Sequence, residues 1–217
     1  DDAFAALDKA TLDKAMADTE LVDFGRHVIP KAIGDMRVQA HFFKGYWEDV
    51  GTIGSYFEAN LQLCDSMPPF DFYDASRRIY THPRLLPASK VESCTLRRVL
   101  LSEGCILMGA EIERSVVGIR SRIGAGTRIK DSLVLGADDY ESLEEIDRAH
   151  AKGKPPVGIG GDSVIERAIV DKNARVGRGV RILNEAGVKE ADGDGYYIRD
   201  GIVIVPKGGV VHDGTVI

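Results

Sequence analysis

The strongest constraint in this sequence is an internal repeat. Residues 112–129 (IERSVVGIRSRIGAGTRI) align without a gap on residues 165–182 (IERAIVDKNARVGRGVRI). The copies are identical at Ile112/Ile165, Glu113/Glu166, Arg114/Arg167, Val117/Val170, Arg122/Arg175, Gly124/Gly177, Gly126/Gly179, Arg128/Arg181 and Ile129/Ile182. Aliphatic residues recur at steps of five or six, as Ile106, Ile112, Val117, Ile123 and Ile129, then Ile159, Ile165, Val170, Val176, Ile182 and Val188. A shorter series, Val205, Val211 and Ile217, closes the chain. Such a step fits neither the period of about 3.6 of an amphipathic helix nor the alternation of a two-sided strand. It fits a chain that turns a corner every six residues and points one aliphatic side chain inward per face. Three faces make one triangular coil, and stacked coils bond as parallel strands around a dry interior. An antiparallel sandwich with fortuitous spacing is the competing architecture. It leaves the agreement at polar positions unexplained.

Each inward Ile or Val contributes roughly 1.5–3 kcal/mol on burial, and no coil is stable without its neighbours. Gly124, Gly126, Gly177, Gly179 and Asn173 are the expected corner residues, because a tight or left-handed turn suits glycine and asparagine. Between the copies runs residues 136–158, with a helical middle (Leu143, Ile146, Ala149 or His150) and a Lys-Gly-Lys-Pro-Pro exit that breaks helix and strand. This reads as a loop extruded from one corner, and residues 184–201 as a smaller excursion. Upstream, residues 3–17 have helical propensity, with Phe4, Leu7 and Ala10 on one side. Residues 38–52, rich in aromatics, look strand-like. Ile53, Phe57, Leu61 and Cys64 predict a helix with Thr52 as its N-cap. The Pro-punctuated SMPPFDFYD that follows marks a linker. The expected organisation is residues 1–75, the end of a mixed α/β domain and its linker, then residues 76–217, the coiled domain with its inserted loop at 136–158.

Composition narrows the partners. A net charge of −6 argues against a nucleic-acid surface, since backbone phosphates repel an acidic chain. It leaves room for a small anion held by a few converging Lys and Arg side chains. No apolar run reaches the roughly 18 residues of a membrane span, and the acidic start reads as neither signal nor transit peptide. Cys64, Cys94 and Cys105 are too few and scattered for a disulfide framework or metal knuckle, so a reducing compartment fits best.

Several segments then carry a family resemblance. GYWEDVGT (residues 45–52), followed by the Phe-Glu-Ala-Asn-Leu run, resembles the end of the catalytic domain of ADP-glucose pyrophosphorylases (glucose-1-phosphate adenylyltransferases). DFGRHVIP, IYTHPRLLP, SVVGIRSRI, LGADDYE, PVGIG, IVDKNARVG, GIVIVPK and the closing DGTVI follow in the family's order, in its plant and cyanobacterial style. The resemblance covers nearly the whole chain and identifies it as the C-terminal half of such a subunit. It implies a left-handed parallel β-helix of hexapeptide repeats, preceded by the C-terminal remnant of an α/β nucleotidyltransferase domain. The left-handed winding rests on this resemblance alone, since crossovers are ordinarily right-handed.

What the resemblance implies functionally is attack of glucose 1-phosphate on the α-phosphate of ATP, giving ADP-glucose and pyrophosphate for starch or glycogen synthesis. Such transfer depends on positioning and on charge neutralisation by Mg²⁺ and cationic side chains. Asp49 takes the part of a Mg²⁺ ligand and Trp47 orders the site; without the family, an Asp before Val-Gly-Thr reads as a turn or capping residue. Lys172, Lys207, Arg84 and His82 match positions that bind the allosteric anions 3-phosphoglycerate and phosphate. His82 stands where the family often has Gln or Ser, and Lys207 lies between Pro206 and Gly-Gly. Arg122 and Arg175 occupy equivalent repeat positions and read as structural. The family's phosphate loop, its second metal-binding Asp and its sugar-phosphate Glu-Lys match nothing here, so the chain is expected to be inactive alone. A homo- or hetero-tetramer is implied, in the plastid stroma of a plant or alga or the cytoplasm of a bacterium. The alternatives are a weakly catalytic regulatory subunit, a non-catalytic exchange-factor subunit, a related enzyme using GTP and mannose 1-phosphate, and a hexapeptide acyltransferase using His150 or His212. The last leaves GYWEDVGT without a purpose.

Overall fold

A computed structural model describes residues 23–217. The expected helix at 3–17 lies outside the described residues. The chain divides into two compact units, Asp1–Gly45 and Tyr46–Ile217. In the first, Asp23 caps a π-helical turn, Phe24–Val28, by accepting the Arg26 N–H at 2.6 Å. Helix α1, Ile29–Asp35, follows with a proline in its first turn, where a missing N–H costs nothing. The aromatic stretch at 38–52, expected as a strand, is irregular. No strand pairs with it among the described residues, and an unpaired strand has no ladder to hold it.

The second unit is built on a three-faced parallel coil. The first face stacks Lys90–Glu92, Ile106–Met108, Arg122–Ile123, Gly158–Ile159, Arg175–Val176 and Val210–Val211, all parallel. The second face stacks Arg128–Lys130, Val164–Glu166 and Arg181–Ile182 on the leading halves of Thr95–Leu101 and Glu111–Val117. The trailing halves of those two long strands turn the corner and begin the third face, continued by Leu133–Val134, Ala168–Val170 and Ile202–Val205.

In-register pairing turns the repeat into three interior ladders. Leu107, Ile123, Ile159, Val176 and Val211 line the first face. Ile112, Ile129, Ile165 and Ile182 line the second, and Val117, Val134, Val170 and Val205 the third. All are buried in one shared core. Two positions of the aliphatic series belong elsewhere. Ile106 is only half-buried and pairs with Arg122, whereas its neighbour Leu107 is fully buried. A corner shorter by one residue moves the inward position, and a slip of one residue reverses the face of a strand side chain. Val188 is exposed, because it lies in the excursion.

The corners explain the repeat's polar residues. Arg98, Arg114, Asp131 and Arg167 have positive φ at the same corner of successive coils. Buried Ser115, Ser132 and Ala168 directly follow three of them. Gly126, Gly179 and Asn173 have the left-handed backbone expected of them. Gly124 is there for another reason, since a Cβ would come within 2.5 Å of the Gly161 backbone nitrogen in the next coil.

Helix α2, Ile53–Gln62, starts with a reciprocal box in which Thr52 and Ser55 cap each other's backbone N–H. Its buried Phe57 and Leu61 pack on Leu133, Ile169 and Ile202, which point outward from the third face, forming a second apolar cluster. Arg167 lies over the Phe57 ring, 5.4 Å from its centroid, and pairs with Glu58 at 3.4 Å. The coil is therefore apolar on both sides of its third face, inside and under α2. The extruded loop carries helix α3, Leu143–Ala151, opened by a Ser142/Glu145 box, with Ala149 buried and Leu143 exposed. The later excursion folds into a hairpin, Ala191–Gly193 with Tyr196–Arg199, that pairs antiparallel with Ile202–Val205.

A candidate anion site where the third face ends

Three strands that carry α2 on their outer side run into one polar cluster. Leu133–Val134 leads to Asp138, Ala168–Val170 to Lys172, and Ile202–Val205 to Lys207. The Lys172 Nζ lies 3.0 Å from Asp138 Oδ1, and the Lys207 Nζ 2.8 Å from Asp138 Oδ2. Asn173 clamps the same residue twice. Its amide donates to Asp138 Oδ2 at 2.9 Å, and its carbonyl oxygen accepts the Asp138 N–H at 2.8 Å. Backbone bonds from Gly208 N–H to the Lys172 carbonyl and from Asn173 N–H to the Gly136 carbonyl fix the three segments side by side.

The electrostatics follow from this geometry. Lys207 above all, then Lys172 and the Asn173 amide, hold the Asp138 carboxyl well below the usual carboxylate range. Asp138 in turn raises the Lys207 ammonium, with a smaller contribution from Asp171. Asp171 itself accepts the Lys172 N–H at 2.6 Å. The cluster is open to water: the side chains of Lys172, Asp138 and Lys207 are 35 %, 39 % and 59 % exposed. Two ammonium groups converging on one tetrahedral or planar oxyanion are what a small phosphate or carboxylate site requires.

The remaining expected site residues lie elsewhere. Arg84 and His82 are exposed in the irregular stretch before Lys90–Glu92, and no hydrogen bond or ion pair joins them to the lysine cluster. Trp47 is 73 % exposed. Asp49 Oδ1 accepts the Gly51 N–H at 3.0 Å, an Asx turn that delivers the chain to the Thr52 cap. Among the described residues nothing donates to its second oxygen. No cluster of three or more His, Cys, Asp or Glu capable of holding a metal occurs among the described residues. Arg175 secures the loop by donating to the Pro155 carbonyl at 2.8 Å and pairing with Glu141, which accepts the Val157 N–H at 2.6 Å. Arg122, His150 and His212 line a groove beside the first face. Asp138 escaped the sequence reading. Its signals were a pair of acids, DD, at the mouth of an insertion and its place in the LGADDYE segment, neither of which assigns it a role.

A parallel three-faced coil with an extruded helical loop defines a β-helix domain. Comparison with known families gives its kind: residues 84–216 match the family described as GLGC left-handed parallel beta-helix domain, and residues 6–66 match Nucleotidyl transferase. The chain belongs to the GLGC left-handed parallel β-helix domain family. It is 47 % identical over 201 residues to glucose-1-phosphate adenylyltransferase large subunit 1, chloroplastic/amyloplastic, of Zea mays. That match covers 92 % of this chain and 39 % of the relative, so the chain spans well under half the relative's length. Family and packing boundaries differ: α2 falls within the transferase match, yet its buried face packs on the β-helix.

Proposed function

We propose that this chain forms part of a glucose-1-phosphate adenylyltransferase, which makes ADP-glucose and pyrophosphate from ATP and glucose 1-phosphate. In this reading the β-helix is the regulatory and oligomerising part, and Lys172 and Lys207 hold an effector anion such as 3-phosphoglycerate or phosphate. The observation that carries the reading is the convergence of both ammonium groups on one carboxylate within 3.0 Å. The relative's name supports the catalytic assignment, and its chloroplastic/amyloplastic location supports a plastid. Asp49 would contribute one oxygen to Mg²⁺, which would neutralise the phosphates during transfer. Arg84 and His82 would join the anion from the exposed stretch that carries them. The exposed ends of the coil stack suit burial between subunits of a tetramer.

A weakly catalytic regulatory subunit of the same enzyme is the second reading, favoured by the relative being a large subunit. Both readings share one test. In enzyme assembled from subunits containing this sequence, Lys172→Glu should raise the activator concentration needed for half-maximal response by roughly tenfold to a hundredfold, the scale of a lost charged hydrogen bond. Activation and phosphate inhibition unchanged in that variant would remove the anion-site assignment. A basal rate near that of the unmodified enzyme would separate the regulatory effect from general damage.

A further inference from the structure

We infer that Asp138 is a built-in occupant of the anion site, so that an external anion binds by displacing it from both lysines and from Asn173. This rests on the anion-site reading above and concerns how that site is regulated. The carboxylate takes both lysines, one on each oxygen, at 3.0 and 2.8 Å, leaving neither ammonium aimed at an empty position. The groups facing it are Lys172, Lys207 and the Asn173 amide, while Asp171 accepts the Lys172 N–H and acts on the Lys207 charge.

Geometry also permits the exchange. Asp138 sits where the chain leaves the coil, and the loop beyond it is anchored independently. The Tyr140 hydroxyl donates to the Gly104 carbonyl at 2.8 Å, and Glu141 holds the Val157 N–H and Arg175. Moving Asp138 therefore breaks its own lysine and Asn173 contacts while leaving α3 in place. A phosphate at neutral pH carries more negative charge than a carboxylate and has more acceptor oxygens. It competes for two lysines despite the advantage of an intramolecular rival. The rival reduces apparent affinity by the fraction of time it occupies the site.

The test is calorimetric titration of the chain with inorganic phosphate, at ionic strength held constant with chloride. Asp138→Asn should tighten phosphate binding roughly threefold to tenfold, within the span of about twofold to thirtyfold that two exposed ion pairs give together. Asp139→Asn removes the same charge one residue away, from an exposed residue with no bond to either lysine, and should change affinity less than about twofold. The double variant Lys172→Gln/Lys207→Gln should lose saturable binding whether or not Asp138 is present. In the unaltered chain, phosphate should speed hydrogen exchange at the Asp138 amide, which loses the Asn173 oxygen, and leave the Val157 amide protected; this readout needs no substitution. If binding depends on the lysines but Asp138→Asn leaves it equal or weaker, or matches Asp139→Asn, Asp138 is a structural clip and the inference fails alone. If the lysine double variant binds phosphate like the unaltered chain, or the unaltered chain and Asp138→Asn both fail to bind, the anion-site reading falls with it.

Discussion

At the residue scale, the corners decide whether the coils can stack, and small hydroxyl side chains do much of that work. Ser132 is fully buried yet fully paired. Its N–H donates to Ser115 Oγ at 3.1 Å, its hydroxyl donates to the Lys130 carbonyl at 2.7 Å, and it accepts the Ala168 N–H at 3.2 Å. One residue, through its backbone N–H and its hydroxyl, thus links three successive coils. Ser132→Ala leaves the Ala168 N–H without an acceptor in a dry interior, and chemical denaturation should show a loss of about 1–3 kcal/mol. Asp138 gives a pH signature. Its folded pKa is depressed by Lys207, Lys172 and Asn173, so its contribution is present above the unfolded carboxylate value and is lost as pH falls through the folded one. The melting-temperature advantage over Asp138→Asn should therefore be level from pH 7 to about pH 5 and shrink below about pH 4. An advantage that instead grew on acidification would show that the carboxylate is not ion-paired.

At the element scale, helix α2 shows what sequence could and could not reveal. Its existence was legible, because Ile53, Phe57 and Leu61 mark a helical face and Thr52 a cap. What that face covers was not. Leu133, Ile169 and Ile202 are outward neighbours of inward Val134, Val170 and Val203, and a run of aliphatics at consecutive positions hides a second surface behind the first. Phe57 is fully buried and lies beneath the Arg167 guanidinium. Phe57→Ala should cost about 3–5 kcal/mol by denaturant titration, as for large core truncations generally. A loss below about 1 kcal/mol would mean that α2 is peripheral to the β-helix. The ladders were legible for a related reason. A step of six is visible as spacing, whereas the five-residue corner that exchanges Ile106 for Leu107 depends on corner geometry rather than on either residue's character.

At the scale of the whole molecule, the second unit is a scaffold that brings distant chain segments to one place. Asp138, Lys172 and Lys207 are separated by the inserted loop and the late excursion, yet parallel strands pairing Leu133 with Ile169 and Ile169 with Ile204 deliver all three to one end of the third face. Family resemblance pointed to the lysines, but only the topology reveals their shared carboxylate. The proposed function requires that meeting point to be an oxyanion site. It is tested most directly by growing crystals with selenate, a tetrahedral dianion whose selenium is located by anomalous scattering. An anomalous peak is expected between the two Nζ atoms, with the Asp138 carboxylate turned away. Selenium found only in the groove beside Arg122, or absent while Asp138 still bridges both lysines at saturating selenate, would contradict it.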